Sequence, residues 1–372
     1  NGAFQIGPAG ICTATTVNTT NLVNATPLSN RNIAINGAMQ VTQRSTSATS
    51  ITSTGYRTAD RWGLSVTNAG TWTNTISSDT PDGFASSYKL DCTTADTSLG
   101  ASDLLILYQP IEGYNVQGFA KGTSSAKEFT ASFYIKTNKT GTYVVELYDA
   151  DNNRQVSQSY TVSDTNWNRY IITFPADTTG AFGNDNGASL YLQWWLASGT
   201  TYTSGTLNTS WASTTSANRV SALNVNLADS TSNEWLITGI QLEIGSAATP
   251  FEHRTIGDEL ARCQRYYYTT RGGSVGNPNS DSAGFFGVPL NSSPSAFGIA
   301  TFPVPMRATP TVVLYDATAT SGQFTQNGNN YFAGTAGGVT QNGFNLATRS
   351  SGNLSDDANL TVTAGFTAAA EL

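Results

Sequence analysis

The sequence holds a single histidine, His253, set between Glu252 and Arg254. Imidazole suits proton transfer near neutral pH and metal ligation. A nucleophilic triad, however, needs a positioned nucleophile and an orienting acid, and a metal site needs further ligands at a recognisable spacing. Neither pattern accompanies His253, which reads as a structural ion-pairing or hydrogen-bonding residue. The next candidates are carboxylates. Asp149, Asp151 and Asp185 fall in "YDADNN" and "GNDNG". A pair of acids flanking a cleft hydrolyses glycosides, and oxygen-rich loops can hold Ca²⁺. Both stretches are also ordinary turn sequences, and their spacing is not that of an EF-hand. The reading is therefore turns, with no catalytic residue, no metal and no other cofactor; a structural Ca²⁺ is the lesser alternative. Aromatic side chains remain, because sugar rings stack their C–H faces on Trp and Tyr. In "LYLQWWLAS" the adjacent Trp194 and Trp195 point to opposite faces if the run is a regular strand, so one is core and the other lies on the opposite face. Trp211, in a Thr- and Ser-rich loop, lines the same surface in this reading. These three are the ligand-binding candidates, although most such aromatics serve packing. "RYYY" at 265–268 reads first as helix-end packing, and no phosphate-cradling loop, zinc pattern or nucleophile elbow occurs.

The elements that must position these residues follow from composition. Of 372 residues, 38% are hydrophobic and only 12% charged, so Thr, Ser, Asn and Gly supply most of the polarity. That balance suits long β-sheet surfaces and turns better than exposed helices. A formal net charge of −7 argues against a nucleic-acid partner held by a basic patch. Cys12, Cys92 and Cys263 stand far apart and in odd number, which excludes a disulfide framework or a Cys-x-x-Cys metal site. No apolar run reaches the length of a membrane span, so no membrane insertion is expected, and no basic-then-apolar leader opens the chain. The first residue is Asn rather than Met, which is expected of a processed chain or of the ordered part of a longer one.

Residues 1–30 show no sustained period and read as an arm or linker. From residue 31 short apolar or alternating runs follow one another between turn signals, among them "DLLILYQPIEGY", "EFTASFYIKTN", "GTYVVELYDADNN", "RYIITFPADT", "SLYLQWWLAS" and "EWLITGIQLEIG". Ala131, Phe133 and Ile135 alternate with Ser132, Tyr134 and Lys136, as one buried and one wet face requires. Many such strands without intervening helices imply a mostly β chain with a jelly-roll β-sandwich over residues 31–252. A smaller β-domain is expected over 271–372.

Between them, residues 253–270 carry the clearest helix signal. Thr255 and Asp258 resemble a capping box, acids precede arginines along the helix, and Ile256, Leu260, Cys263 and Tyr267 form one apolar stripe. Residues 241–268 hold seven charged residues, so this stretch is either a site or a joint, and its place between domains favours a joint.

Two stretches together carry a resemblance. "NRNIAINGAMQVTQRSTS" and "TGYRTADRWGLS", within residues 31–65, are followed by "WLITGIQLEIGSAATPFEHRTIGDELARCQRYYY", residues 235–268. The pair resembles a recurrent pattern of bacteriophage tail-fibre and other virion surface proteins. In those proteins an NGxMxVxQR opening leads into a jelly roll similar to carbohydrate-binding modules, whose last strand carries GxQLExG. TPFExR, a short helix with CQRYY and a small C-terminal β-domain follow. The resemblance covers about residues 31–310. It implies a non-enzymatic protein on the virion surface with host-surface polysaccharide as partner; residues 1–30, which lie outside the resemblance, are expected to attach the chain to other virion proteins. It also implies a homotrimer, in which Ile256, Leu260, Cys263 and Tyr267 would meet their symmetry mates at a threefold axis. The alternative is that this stripe packs on its own jelly roll. Two further functional readings stand beside the fibre: a capsid-bound decoration with purely structural contacts, and a glycan-degrading tailspike. The last is disfavoured, since a short sandwich without an acid pair is unlike the long β-solenoids of depolymerases.

Overall fold

The computed structural model describes residues 30–270, 286–289, 299–316, 320–326, 330–348 and 361–372. The arm expected over residues 1–30 lies outside them apart from Asn30. In chain order the first strands are β1 (Ser47–Ile51), β2 (Gly55–Tyr56), β3 (Gly63–Thr67), β4 (Thr71–Ser77), β5 (Ser87–Thr94), β6 (Leu104–Glu112) and β7 (Phe129–Thr137). They continue with β8 (Gly141–Asp149), β9 (Arg154–Val162), β10 (Asn168–Phe174), β11 (Ala188–Ser198), β12 (Ala212–Ser213) and β13 (Glu234–Ile244). These strands form two antiparallel sheets, ordered β1-β4-β5-β13-β7-β10 and β12-β9-β8-β11-β6-β3-β2. The mostly β, jelly-roll class read from the sequence is what the chain adopts.

Alternation builds the core. Phe129, Ala131, Phe133 and Ile135 of β7 face Leu190, Leu192, Trp194 and Leu196 of β11 in one buried cluster. Trp194 sits edge-on to Phe133, with ring centroids 5.2 Å apart, and 5.8 Å from Trp62. A second, smaller unit follows. Its strands are β14 (Tyr267–Thr269), β15 (Phe286–Pro289), β16 (Ile299–Thr301), β17 (Thr311–Tyr315), β18 (Gln323–Gln326), β19 (Asn330–Thr340), β20 (Gly343–Thr348) and β21 (Thr361–Ala369). The hub is β21, which pairs with β14, β15, β17 and β18, and the unit has its own core around Phe302, Met306, Phe344 and Phe366.

The helix Ile256–Gln264 begins as its sequence predicts: Thr255 Oγ1 accepts the Asp258 amide. Its stripe is used within the chain. Cys263 is fully buried with Ile35, Val41 and Tyr266, Leu260 packs on the same cluster, and Tyr267 is the first residue of β14 rather than a helix residue. Of the four residues considered for a threefold contact, Leu260, Cys263 and Tyr267 are thus covered by the chain itself. Ile256, 59% exposed, stays open to solvent.

The two halves of the sequence pattern meet here as a joint. Glu252 accepts the Arg31 and Asn32 amides at 3.2 and 2.9 Å, and Arg254 donates to the Asn32 and Ala34 carbonyls and pairs with Glu259. Glu259 in turn accepts the Asn36 amide. Gly37 lies so close to β13 that a Cβ would stand 2.0 Å from the Ile240 carbonyl, so no other residue fits without moving the strand. Gln241 and Glu243 hold the following turn: Gln241 Oε1 accepts the Glu252 amide, while Glu243 accepts the Thr249 amide and hydroxyl. The smaller unit is tied in by charge. Arg44 and Arg61 both pair with Glu371, Arg61 lies 3.5 Å over the Tyr266 ring, and Arg265 makes a bidentate pair with Glu112.

Candidate functional site

On β11 the inward residues are apolar, so Tyr191, Gln193 and Trp195 face the other side of the sheet. The same parity turns Tyr108 of β6 and Glu146 and Tyr148 of β8 to that outer face. Part of it is roofed by residues 199–225, from which Tyr202, Leu207, Val220 and Ala222 cluster on Ile106, Val144 and Trp195. Beyond the roof runs a row of tyrosines, Tyr56, Tyr108, Tyr191 and Tyr148. Successive ring centroids are 6.0, 6.3 and 6.0 Å apart, and all four rings are half-buried. Tyr191 and Tyr148 are register partners. Gly63 on β3 makes room for Tyr108: a Cβ there would stand 2.4 Å from its ring.

A cavity of about 290 Å³ lies over Tyr108 and Tyr191, near the lower end of the range for small-molecule sites. Leu104 and Ile106 add apolar lining, and Thr54, Ser65, Gln193 and Arg219 add polar lining. Arg219 is fixed: Nε and Nη2 donate to the fully buried Glu146 at 2.8 and 2.7 Å, and Nη2 also reaches Gln193 Oε1 at 3.1 Å. Trp195 Nε1 donates to the same carboxylate, and the guanidinium lies 4.8 Å over the Trp195 ring. Burial works against the Arg219 charge, and the Glu146 carboxylate more than offsets it, lifting its pKa above the usual guanidinium value. Burial raises the hydroxyl pKa of Tyr108 and Tyr191, so both rings present neutral phenols. Flat, neutral rings beside a fixed polar wall suit a ligand with apolar C–H faces and hydroxyl edges.

The residues singled out from sequence are placed differently. Trp194 and Trp195 are both 0% exposed, one between the sheets and one beneath the roof, so neither ring can meet a ligand in this conformation. Trp211 is half-buried; its indole N–H donates to the Pro175 carbonyl, and its ring neighbours are Phe129 and Lys121, away from the tyrosine row. His253 is exposed, its ring 4.8 Å from Phe251 and 5.4 Å from Phe84, at the rim of a cavity of about 480 Å³ that Arg254, Asp258 and Arg262 also line. Asp149 is buried against Lys121. Asp151 accepts the Gly183 amide, a tie between two loops 32 residues apart in sequence, and Asp185 accepts the Gly187 amide two residues on, a turn role. Among the described residues no group of three His, Cys, Asp or Glu is placed to hold a metal ion. The tyrosine row went unnoticed in sequence, although the parity that separates Tyr191 from Trp194 was available to find it.

No family model matches this sequence, and no curated protein does. Solved structures with local likeness include the enzymatically active domain of tailspike protein 4 of bacteriophage CBA120, 15% identical, covering 50% of this chain and 19% of that one at a TM-score of 0.28. A family 11 carbohydrate-binding module from Clostridium thermocellum, solved with a mixed-linked tetrasaccharide, is 12% identical over 52% of this chain and 91% of its own, TM-score 0.27. A xylan-binding domain of family 22 is 13% identical over 51% and 90%, TM-score 0.28. At these scores the likenesses carry no argument about this chain.

Proposed function

We propose that this chain is a phage virion surface protein, a tail fibre or fibre-like appendage, that contacts host-surface glycan without cleaving it. The observation that carries glycan contact is the row Tyr56, Tyr108, Tyr191 and Tyr148, half-buried side by side on one outer sheet face with a fixed polar wall. The virion assignment rests on the paired sequence pattern of residues 31–65 and 235–268, whose two halves interlock around Glu252, Arg254 and Gly37. Each site is shallow, so useful affinity comes from copies on linked subunits of a homotrimer. Residues 1–30 attach the subunit to other virion proteins in this reading.

Light scattering on residues 31–372, followed by an array of bacterial surface glycans, tests it. The expected result is a trimer that binds a defined glycan set, with Tyr108→Ala and Tyr191→Ala each weakening binding about tenfold. A folded trimer that binds no glycan would overturn the receptor role and leave a structural appendage whose contacts are with virion proteins. Release of reducing ends from host polysaccharide would instead identify a tailspike.

A further inference from the structure

Away from the tyrosine row, one lysine is held as metal ions usually are. The Lys121 ammonium is fully buried. Four oxygens converge on its Nζ: Asp149 Oδ2 at 2.6 Å, Asp177 Oδ2 at 3.0 Å, and the carbonyls of Gly180 at 2.7 Å and Thr179 at 3.0 Å. Ordinary ion pairs bring carboxylates to an ammonium. Two successive backbone carbonyls turned inward to the same point are, in contrast, the arrangement of an oxygen cage for a hard cation. The cage is itself braced. Asn152 donates to both oxygens of Asp149, and Arg154 makes a bidentate pair with Asp177. The Thr179 amide also donates to Asp177. Burial opposes ionisation of Asp177, but hydrogen bonds from Arg154 and Lys121 outweigh it and hold the carboxyl below its usual range. Two cations thus balance two buried carboxylates, and the cage joins three separate segments: the one after β6, the end of β8 and the one after β10.

We infer that this is a cation site that the chain fills with its own ammonium, and that removing the Lys121 side chain turns it into a site for a hydrated Ca²⁺ ion. Ca²⁺ accepts irregular sets of carboxylate, carbonyl and water oxygens, and the vacated side-chain volume supplies room for the waters. Mg²⁺, which demands a near-octahedral shell, fits less well. The native sandwich therefore keeps these segments together in the presence of chelators.

Thermal melting of the full chain in EDTA, CaCl₂ or MgCl₂ tests this, with wild type, Lys121→Ala, Lys121→Met and Lys121→Ala/Asp149→Asn compared. Wild type should melt at the same temperature in all three. Lys121→Ala should melt lower in EDTA and recover about 2 °C at a tenfold excess of Ca²⁺ over its Kd and about 5 °C at a thousandfold excess, with less recovery in Mg²⁺. Lys121→Met, which fills the volume without charge, and the double variant should gain nothing from Ca²⁺. The inference is overturned if Lys121→Ala is indifferent to Ca²⁺, if Lys121→Met responds equally, or if wild type itself is stabilised by Ca²⁺. Should Lys121→Ala fail to fold in EDTA, refolding in CaCl₂ decides: recovery supports the site, and continued failure refutes it.

Discussion

Tyr191 and Trp195 leave the same face of the same strand one pleat-pair apart, and what covers each decides its role. Tyr191 lies half-open in the tyrosine row, whereas Trp195 is roofed by residues 199–225. Trp194, on the opposite face, is a core residue wedged against Phe133 and Trp62. Trp194→Ala should therefore cost about 3–5 kcal/mol of stability. Chemical denaturation and glycan binding measured on Trp194→Ala and Tyr108→Ala should separate the two classes, the first losing stability and the second losing ligand. Asp60 offers a pH test. Burial pushes its carboxyl up to about 7, against the pull of Arg44 and of the Gln43 hydrogen bonds. Between about pH 4 and 7 the folded chain keeps a proton that the unfolded chain has released, so this residue subtracts stability as pH rises through that window. Asp60→Asn cannot titrate, and the stability of wild type relative to it should fall from pH 4 to pH 7; a constant difference would refute the assignment. The strand parity that orders all these side chains is present in the sequence. The roof over Trp195 is not, because the residues that form it are local in space and set by long-loop packing rather than by any period.

At the level of elements, the helix Ile256–Gln264 was readable from its cap, its charge order and its stripe, but the partner of the stripe was not. An apolar stripe states that something must cover it and leaves open what does. Here Ile35 and Val41 of the same chain do so. Leu260→Asp should consequently lower the melting temperature by several degrees while leaving the oligomeric mass unchanged, since a charge is forced into that cluster. Ile256→Asp should cost within about 0.5 kcal/mol in the isolated subunit. If a threefold contact uses the helix, Ile256→Asp is the variant that would dissociate it by light scattering. The charged residues around the helix are structural for a related reason. Glu252→Ala strands the Arg31 and Asn32 amides and deprives Arg254 of a partner, an expected loss of about 2 kcal/mol or more in denaturant unfolding.

For the whole molecule, the sandwich and the smaller unit are held as one by Glu371, shared between Arg44 and Arg61, and by Arg307, which donates to the carbonyls of Asn186, Ala370 and Glu371. Glu371→Ala leaves the buried Arg61 without a carboxylate and Arg44 with Asp60 alone, so calorimetry should show the sandwich and the smaller unit unfolding in separate transitions where wild type shows one. The strands themselves were legible as alternating runs. Sheet order was not, because strands such as β5 and β13 pair across more than a hundred residues and carry no local mark of their partner. That separation has a consequence in time. Residues 31–36 bond to residues 240–259, and Arg44 to Glu371, across 208 to 327 positions of chain. These partners of residues 31–36 are therefore made at least 208 residues after them, and that of Arg44 327 residues later. Contacts this far apart in sequence raise the contact order, which predicts slow closure of this seam. Until that seam shuts, residues 31–36 and Arg44 lack the partners that hold them in the folded chain.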